Sequence, residues 1–217
     1  MTNASTNKPS WGKQCADWWQ ALQRKWPDGT ANSSADPGAL ARLRRAATPL
    51  EAAQEPQTIA LYRRLHGAHF DERKLEATAV VAAVLASIRT DAARRDDSTS
   101  EASQGSVSSD SFRPPSTAEL LGKVKVKGDQ PVMSPLRMRR LTSARDAKET
   151  LRGFREAIAL LGGTAPVADV ASSIFDWLDA DRADARKTRW LYHYHSAGIA
   201  DPTRDAEPDA TGPAAST

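Results

Sequence analysis

The chain has one cysteine, Cys15, in 217 residues. That excludes an intrachain disulfide and any cysteine-rich zinc site. It has four histidines. His66 and His69, three apart with Glu72 following, could share a helix face, but no further cysteine or histidine set completes a metal site. Only 6% of residues are aromatic. There is no glycine-rich phosphate loop, no nucleophile elbow and no carboxylate pair beside a histidine, so no catalytic constellation is visible. Asp176, Asp179 and Asp181 imitate a magnesium cluster but fall at a helix end among arginines, where solvation or pairing accounts for them. No stretch approaches the about 20 apolar residues of a membrane helix, and the start, MTNASTNKPSWGK, has no apolar leader core. These absences predict a soluble, cytoplasmic protein without enzyme activity, cofactor or metal.

What is present is helical. Abundant alanine and arginine and few β-branched residues favour an all-α fold. Residues 11–26 read as a first helix, with Trp11, Cys15, Trp18 or Trp19, Leu22 and Trp26 at helical spacing. Asp36 caps a second, in which Leu40, Leu43 and Ala47 share a face and Arg42 and Arg45 point away. Thr48 to Glu51 forms a capping box. A helix through Leu61, Tyr62 and Leu65 ends at Gly67. The run from Leu75 to Ile88 is almost wholly apolar and belongs at the centre of the core. Ser116 and Glu119 cap a short helix. KVKVKGD alternates like a strand, yet has no evident partner and reads as a basic connection. Val167 to Leu178 and Arg182 to His195 are the last helices. The expected architecture is a bundle of about eight to nine helices in two packed halves, 11–93 and 116–198. The serine-rich loop 94–115, the first ten residues and the acidic tail 199–217 are expected to be disordered.

The formal net charge is only +3, because the tail cancels part of a larger positive charge on the helical parts. That charge is densest in SPLRMRRLTSARDAKETLRGFREAIALL, Ser134 to Leu161. The segment predicts two consecutive amphipathic helices. On the second, Arg145, Lys148, Arg152 and Arg155 span about 80° of arc. They border an apolar stripe of Leu151, Phe154, Ile158 and Leu161. Arg182, Arg186, Arg189 and His193 align on the last helix. A solvated charged face explains any one of these arginines. Two aligned rows point instead to phosphate, which the planar guanidinium grips with two parallel hydrogen bonds without losing its charge. No base-reading motif accompanies them, so binding should be indifferent to sequence and sensitive to salt.

The order of LARLRRAATP, SPLRMRRL, LRGFREAIALL and DWLDADRADARKTRWLYHY resembles the CasB family, the small subunit of the type I-E CRISPR surveillance complex Cascade. The resemblance covers roughly residues 11–198, apart from the serine-rich loop. It implies an all-helical, non-catalytic antiviral subunit. Such a subunit would pack beside backbone and large Cascade subunits and a second copy of itself, against the assembly of guide RNA and target DNA. There it would line a basic path for the displaced DNA strand. By motif it assigns that basic surface to Arg42, Arg44, Arg45, Arg137, Arg139, Arg140, Arg152, Lys187 and Arg189. The stripe geometry alone adds Arg145 and Arg155. The rival expectation is a purely structural helical adaptor whose arginines meet acidic protein surfaces.

Overall fold

The computed structural model describes residues 10–26, 28–94, 114–124 and 130–198. Ten α-helices carry the fold among these residues. The disorder expected for 1–10, 94–115 and 199–217 falls, but for a few edge residues, outside them, as does most of KVKVKGD.

Side-chain caps set most of the starts. Ser10 opens α1 (Trp11–Ala21), Asp36 opens α2 (Pro37–Arg45) and Thr48 opens α3 (Pro49–Ala53). Asp71 opens α5 (Glu72–Leu85), Ser116 opens α6 (Thr117–Gly122) and Asp146 opens α8 (Ala147–Leu160). Each cap accepts a backbone N–H that the helix leaves unsatisfied, stabilising it by about 1 kcal/mol. Proline at the first turn starts α4 (Pro56–His66) and α7 (Pro135–Thr142). The remaining helices are α9 (Val167–Leu178) and α10 (Ala183–Ser196). Gly67, with φ 78°, ends α4 as expected.

α5 is the axle. Every residue from Ala77 to Ala86 is buried, and α3, α4, α8 and α9 all pack on it. One hydrophobic cluster contains residues from both the 11–93 and the 116–198 spans. α1 lies against α9, close enough that a Cβ on Gly12 would meet the Ser172 hydroxyl and the Ala168 carbonyl oxygen. At the other end Phe154, Trp177 and Trp190 pack edge to face, with ring centroids 5.1–5.3 Å apart. They join α8, α9 and α10, and each such pair adds about 0.5–1.5 kcal/mol beyond its burial.

Three local expectations are corrected. α1 stops at Ala21. Trp26 lies beyond it, 40% exposed, in a turn where the Asn32 amide donates to the carbonyls of Ala21 and Gln23. In α2 the third apolar contact is buried Ala46 rather than exposed Ala47. Thr48 caps α3, but the Glu51 carboxylate accepts from Ala47 N–H one residue earlier than a capping box requires. The structure adds a small parallel pairing, Thr90 with Thr164 and Asp91 with Ala165. It forms β1 (Thr90–Asp91) and β2 (Thr164–Ala165) and ties the exits of α5 and α8 together. Two-residue strands have too short a pattern to read from sequence.

Candidate nucleic-acid interface

α7 and α8 are the two consecutive helices expected of the arginine-rich segment, and they pack on each other. Met138 and Leu141 bury one side of α7, leaving Leu136, Arg137, Arg139 and Arg140 exposed. In α8, Leu151, Phe154 and Ile158 are buried as the stripe predicted, while Leu161 is the half-buried C-cap. Arg145 does not belong to α8; it precedes the N-cap Asp146, in the turn between the helices. Its backbone N–H donates to Glu149 at 2.9 Å, and its side chain is exposed. Lys148 and Arg152 follow on the solvent side of α8. Arg139, Arg140, Arg145, Lys148 and Arg152 make no ion pair with a described residue. Arg137 does, to Glu156 at 3.2 Å.

The remaining expected contacts sort by what holds them. Arg42 grips Glu55 with its Nε, 2.8 and 3.0 Å from the two carboxylate oxygens. Arg44 donates from Nε and Nη2 to the carbonyl of Ala86 at 3.0 and 2.8 Å. Arg45 is exposed and bonds the Ala41 carbonyl one turn back, at 3.1 Å. Arg155 turns inward, where Nη1 donates to Ala46 O at 2.6 Å and Nη2 to Leu43 O at 2.8 Å. It therefore leaves the solvent row of Lys148 and Arg152. Lys187 Nζ donates to Ala144 O at 2.9 Å and sits 5.6 Å from the Trp177 ring centre. Carbonyl acceptors use up donors without cancelling charge, so Arg44, Arg155 and Lys187 remain cations fixed in place.

The row on α10 is largely neutralised from within. Arg182 bridges Asp176 at 2.9 Å and Asp179 at 2.8 Å. Arg186 meets Asp169 at 3.0 Å and the Ser173 hydroxyl at 2.7 Å. His193 pairs with Glu119 at 3.0 Å. Arg189 is exposed and makes no ion pair with a described residue. The apparent magnesium cluster is therefore a set of arginine partners at Asp176 and Asp179. Among the described residues no group of three or more histidine, cysteine or acidic side chains is placed to hold a metal, and no helix is long and apolar enough to cross a membrane. Lys148 was part of the sequence-derived row but was not assigned by family motif. Its spacing between Arg145 and Arg152 was the available signal, and the structure leaves it exposed.

An all-helical protein built around one buried axle helix, with a helical pair whose exposed cations mostly make no ion pair to a described residue, is the class defined by these observations. The chain matches the family of CRISPR-associated protein Cse2 over residues 39–195. It belongs to that family, the CasB small subunit of type I-E Cascade, and is thereby a subunit of a type I-E CRISPR complex. The family is a structural, generally non-catalytic one. No curated protein and no solved structure matches the chain. The match begins inside α2, so α1 with Trp11, Trp18 and Trp19 lies outside it and is nevertheless packed on α9 within it.

Proposed function

We propose that this subunit binds the sugar-phosphate backbone of nucleic acid without reading sequence, and stabilises the displaced DNA strand when guide RNA pairs with its target. The observation that supports this reading is the exposed set Arg139, Arg140, Arg145, Lys148 and Arg152, without ion pairs to described residues, on two packed helices and the turn between them. R-loop formation is nearly balanced in base-pairing energy, so a few backbone contacts can tip it. The subunit would act in the cytoplasm beside a second copy of itself and the backbone and large Cascade subunits, against the assembly of guide RNA and target DNA. Arg189 would extend the contact onto α10. The N- and C-terminal helical halves would move as one unit through α5.

The test is the affinity of the purified full chain for single-stranded DNA as salt is varied. Each phosphate contact contributes about 0.7 to the slope of log K against log salt. Changing Arg139, Arg140, Arg145 and Arg152 to alanine together should flatten that slope by the equivalent of several contacts. An unaltered slope overturns the reading.

A specific observation supports the structural adaptor as a second reading. Leu136 on α7 is 67% exposed and Tyr192 on α10 is 69% exposed, and exposed apolar side chains suit a protein surface. Full retention of subunit assembly with no affinity for DNA would favour it.

A further inference from the structure

At the C-terminal end of α8 a cleft of about 400 Å³ opens between the exits of α5 and α8. Its wall includes Ser87, Arg89, Arg155 and Gly163, and no carboxylate of a described residue lines it. Arg89 is anchored here by its backbone, whose N–H donates to the Gly163 carbonyl at 2.8 Å. Its side-chain stem lies on Gly163, where a Cβ would stand 3.3 Å from Arg89 Cγ and Cδ. With φ 83°, Gly163 takes a backbone shape that a side chain strains. The glycine therefore both makes the turn and clears room for the arginine. Arg89 itself is exposed and pairs with no acid among the described residues.

Arg155 faces the same cleft from α8. Its two terminal nitrogens are spent on the carbonyls of Leu43 and Ala46 at the end of α2 and, at 3.5 Å, of Ala83 in α5. Its Nε is buried and has no hydrogen-bond partner among the described residues. No carboxylate lies within ion-pair distance of it among the described residues. A guanidinium in this position has lost water without gaining a counter-charge. Burial accordingly lowers its pKa, with Glu51 opposing from a distance. The Ser87 hydroxyl adds a third donor to the wall; its own bond to Ala83 O is long, at 3.5 Å. The exposed Arg89 guanidinium and the Ser87 hydroxyl, over the buried charge of Arg155 and with no acid among the described lining residues, make a site for a compact anion.

We infer that Arg89 and Ser87, over the buried charge of Arg155, form a phosphate subsite that receives one backbone phosphate of a nucleic-acid strand running along α8. The inference rests on the proposed function, because the subsite lies at the C-terminal end of the helix that carries Lys148 and Arg152. It adds Arg89 and Ser87, which the family motifs do not assign. It also gives Arg155 a role that its carbonyl bonds do not use up.

The experiment has two arms on the full-length chain. Arg89→Gln removes a charge while keeping a stem on Gly163, and spares the structural bonds of Arg155. In the first arm inorganic phosphate is titrated while the Arg155 Nε–H resonance is followed by NMR. A saturable shift in the wild type, weakened about tenfold in Arg89→Gln, is expected for the loss of one charged hydrogen-bond donor. An unmoved resonance overturns the subsite. In the second arm the salt slope for an oligothymidine strand should fall by about 0.7 in Arg89→Gln. If that slope is unchanged while the Arg139, Arg140, Arg145 and Arg152 variant flattens it, the subsite is wrong and the proposed function stands. If phosphate binds but neither variant alters the slope, the proposed function fails, and the assignment to a nucleic-acid phosphate fails with it.

Discussion

Arg155 on α8 holds Ala46 at the end of α2, its Nη1 donating to the Ala46 carbonyl at 2.6 Å across 109 residues of sequence. The same guanidinium takes Leu43 O at 2.8 Å. Both carbonyls lie in the last turn of α2 or just beyond it, where a helix runs out of its own donors. One side chain from the second half of the chain thus completes a helix in the first.

Arg155→Ala should therefore lower stability by about 2–3 kcal/mol, because two carbonyls lose a charged donor and the packed stem is removed. Arg155→Lys should recover only part of this, since an ammonium cannot reproduce the planar fork. Urea denaturation followed by circular dichroism measures both. A wild-type midpoint for Arg155→Ala would show that these bonds contribute nothing.

Helices whose apolar residues recur every three to four positions could be read from the sequence. The axle α5, the stripe of Leu151, Phe154 and Ile158, and the face of Val170, Ile174 and Trp177 were placed that way. Caps at Asp36, Ser116 and Gly67 were equally plain, because each serves a backbone need within a few residues. The fate of each arginine was not legible. Angular position on a helix shows that Arg152 and Arg155 are neighbours on its surface. It does not show that the carbonyls of α2 end beside Arg155. The same holds for Arg186, whose partners Asp169 and Ser173 are 17 and 13 residues away. A row of like charges in sequence became a mixture of free and internally bonded groups because tertiary packing chose the partners.

Cys15 is fully buried between α1 and its neighbours, and burial pushes its thiol pKa up to about 12, with Arg64 opposing weakly. The thiolate is the reactive form, so native protein at neutral pH should resist thiol reagents and react only as fast as it opens. Labelling with a chromogenic disulfide should be slow in buffer and immediate in denaturant. Rapid labelling of native protein would contradict the packed position of Cys15.

Acid should weaken the fold through Asp179 and Asp71. Hydrogen bonds from Arg182 hold the Asp179 carboxyl below its ordinary value of 3.8, and the Lys74 backbone N–H does the same at Asp71. A group with a depressed folded pKa stabilises the native state above its unfolded pKa, and that contribution disappears as pH falls through the lower folded value. Stability should thus decline as pH drops from roughly 5 to 2, with the loss concentrated below the ordinary carboxylate range. Asp179→Asn should flatten part of this decline in urea midpoints measured across that range. A decline identical to the wild type would remove Asp179 from the account.

Arg186 and Arg140 should behave oppositely, although both are arginines in basic rows. Asp169 accepts from the Thr117 N–H at 2.8 Å, the Thr117 hydroxyl at 2.7 Å and Arg186 at 3.0 Å. It thereby binds the start of α6 to α9 and α10. Arg186 also donates to the Ser173 hydroxyl, which accepts from the buried Trp190 indole at 3.0 Å. Removing Arg186 leaves Asp169 short of its counter-charge in a partly buried network, so Arg186→Ala should cost about 2–4 kcal/mol of stability. It should leave the salt dependence of DNA binding unchanged under conditions where the protein is folded. Arg140→Ala removes an exposed side chain with no ion pair to a described residue. It should shift stability by no more than about 0.5 kcal/mol, while lowering the salt slope for single-stranded DNA by about 0.7. Measuring both quantities on both variants separates charge that holds the fold from charge that is free to meet a phosphate. If Arg186→Ala changed the slope and Arg140→Ala changed the midpoint, the division between paired and unpaired arginines would be wrong.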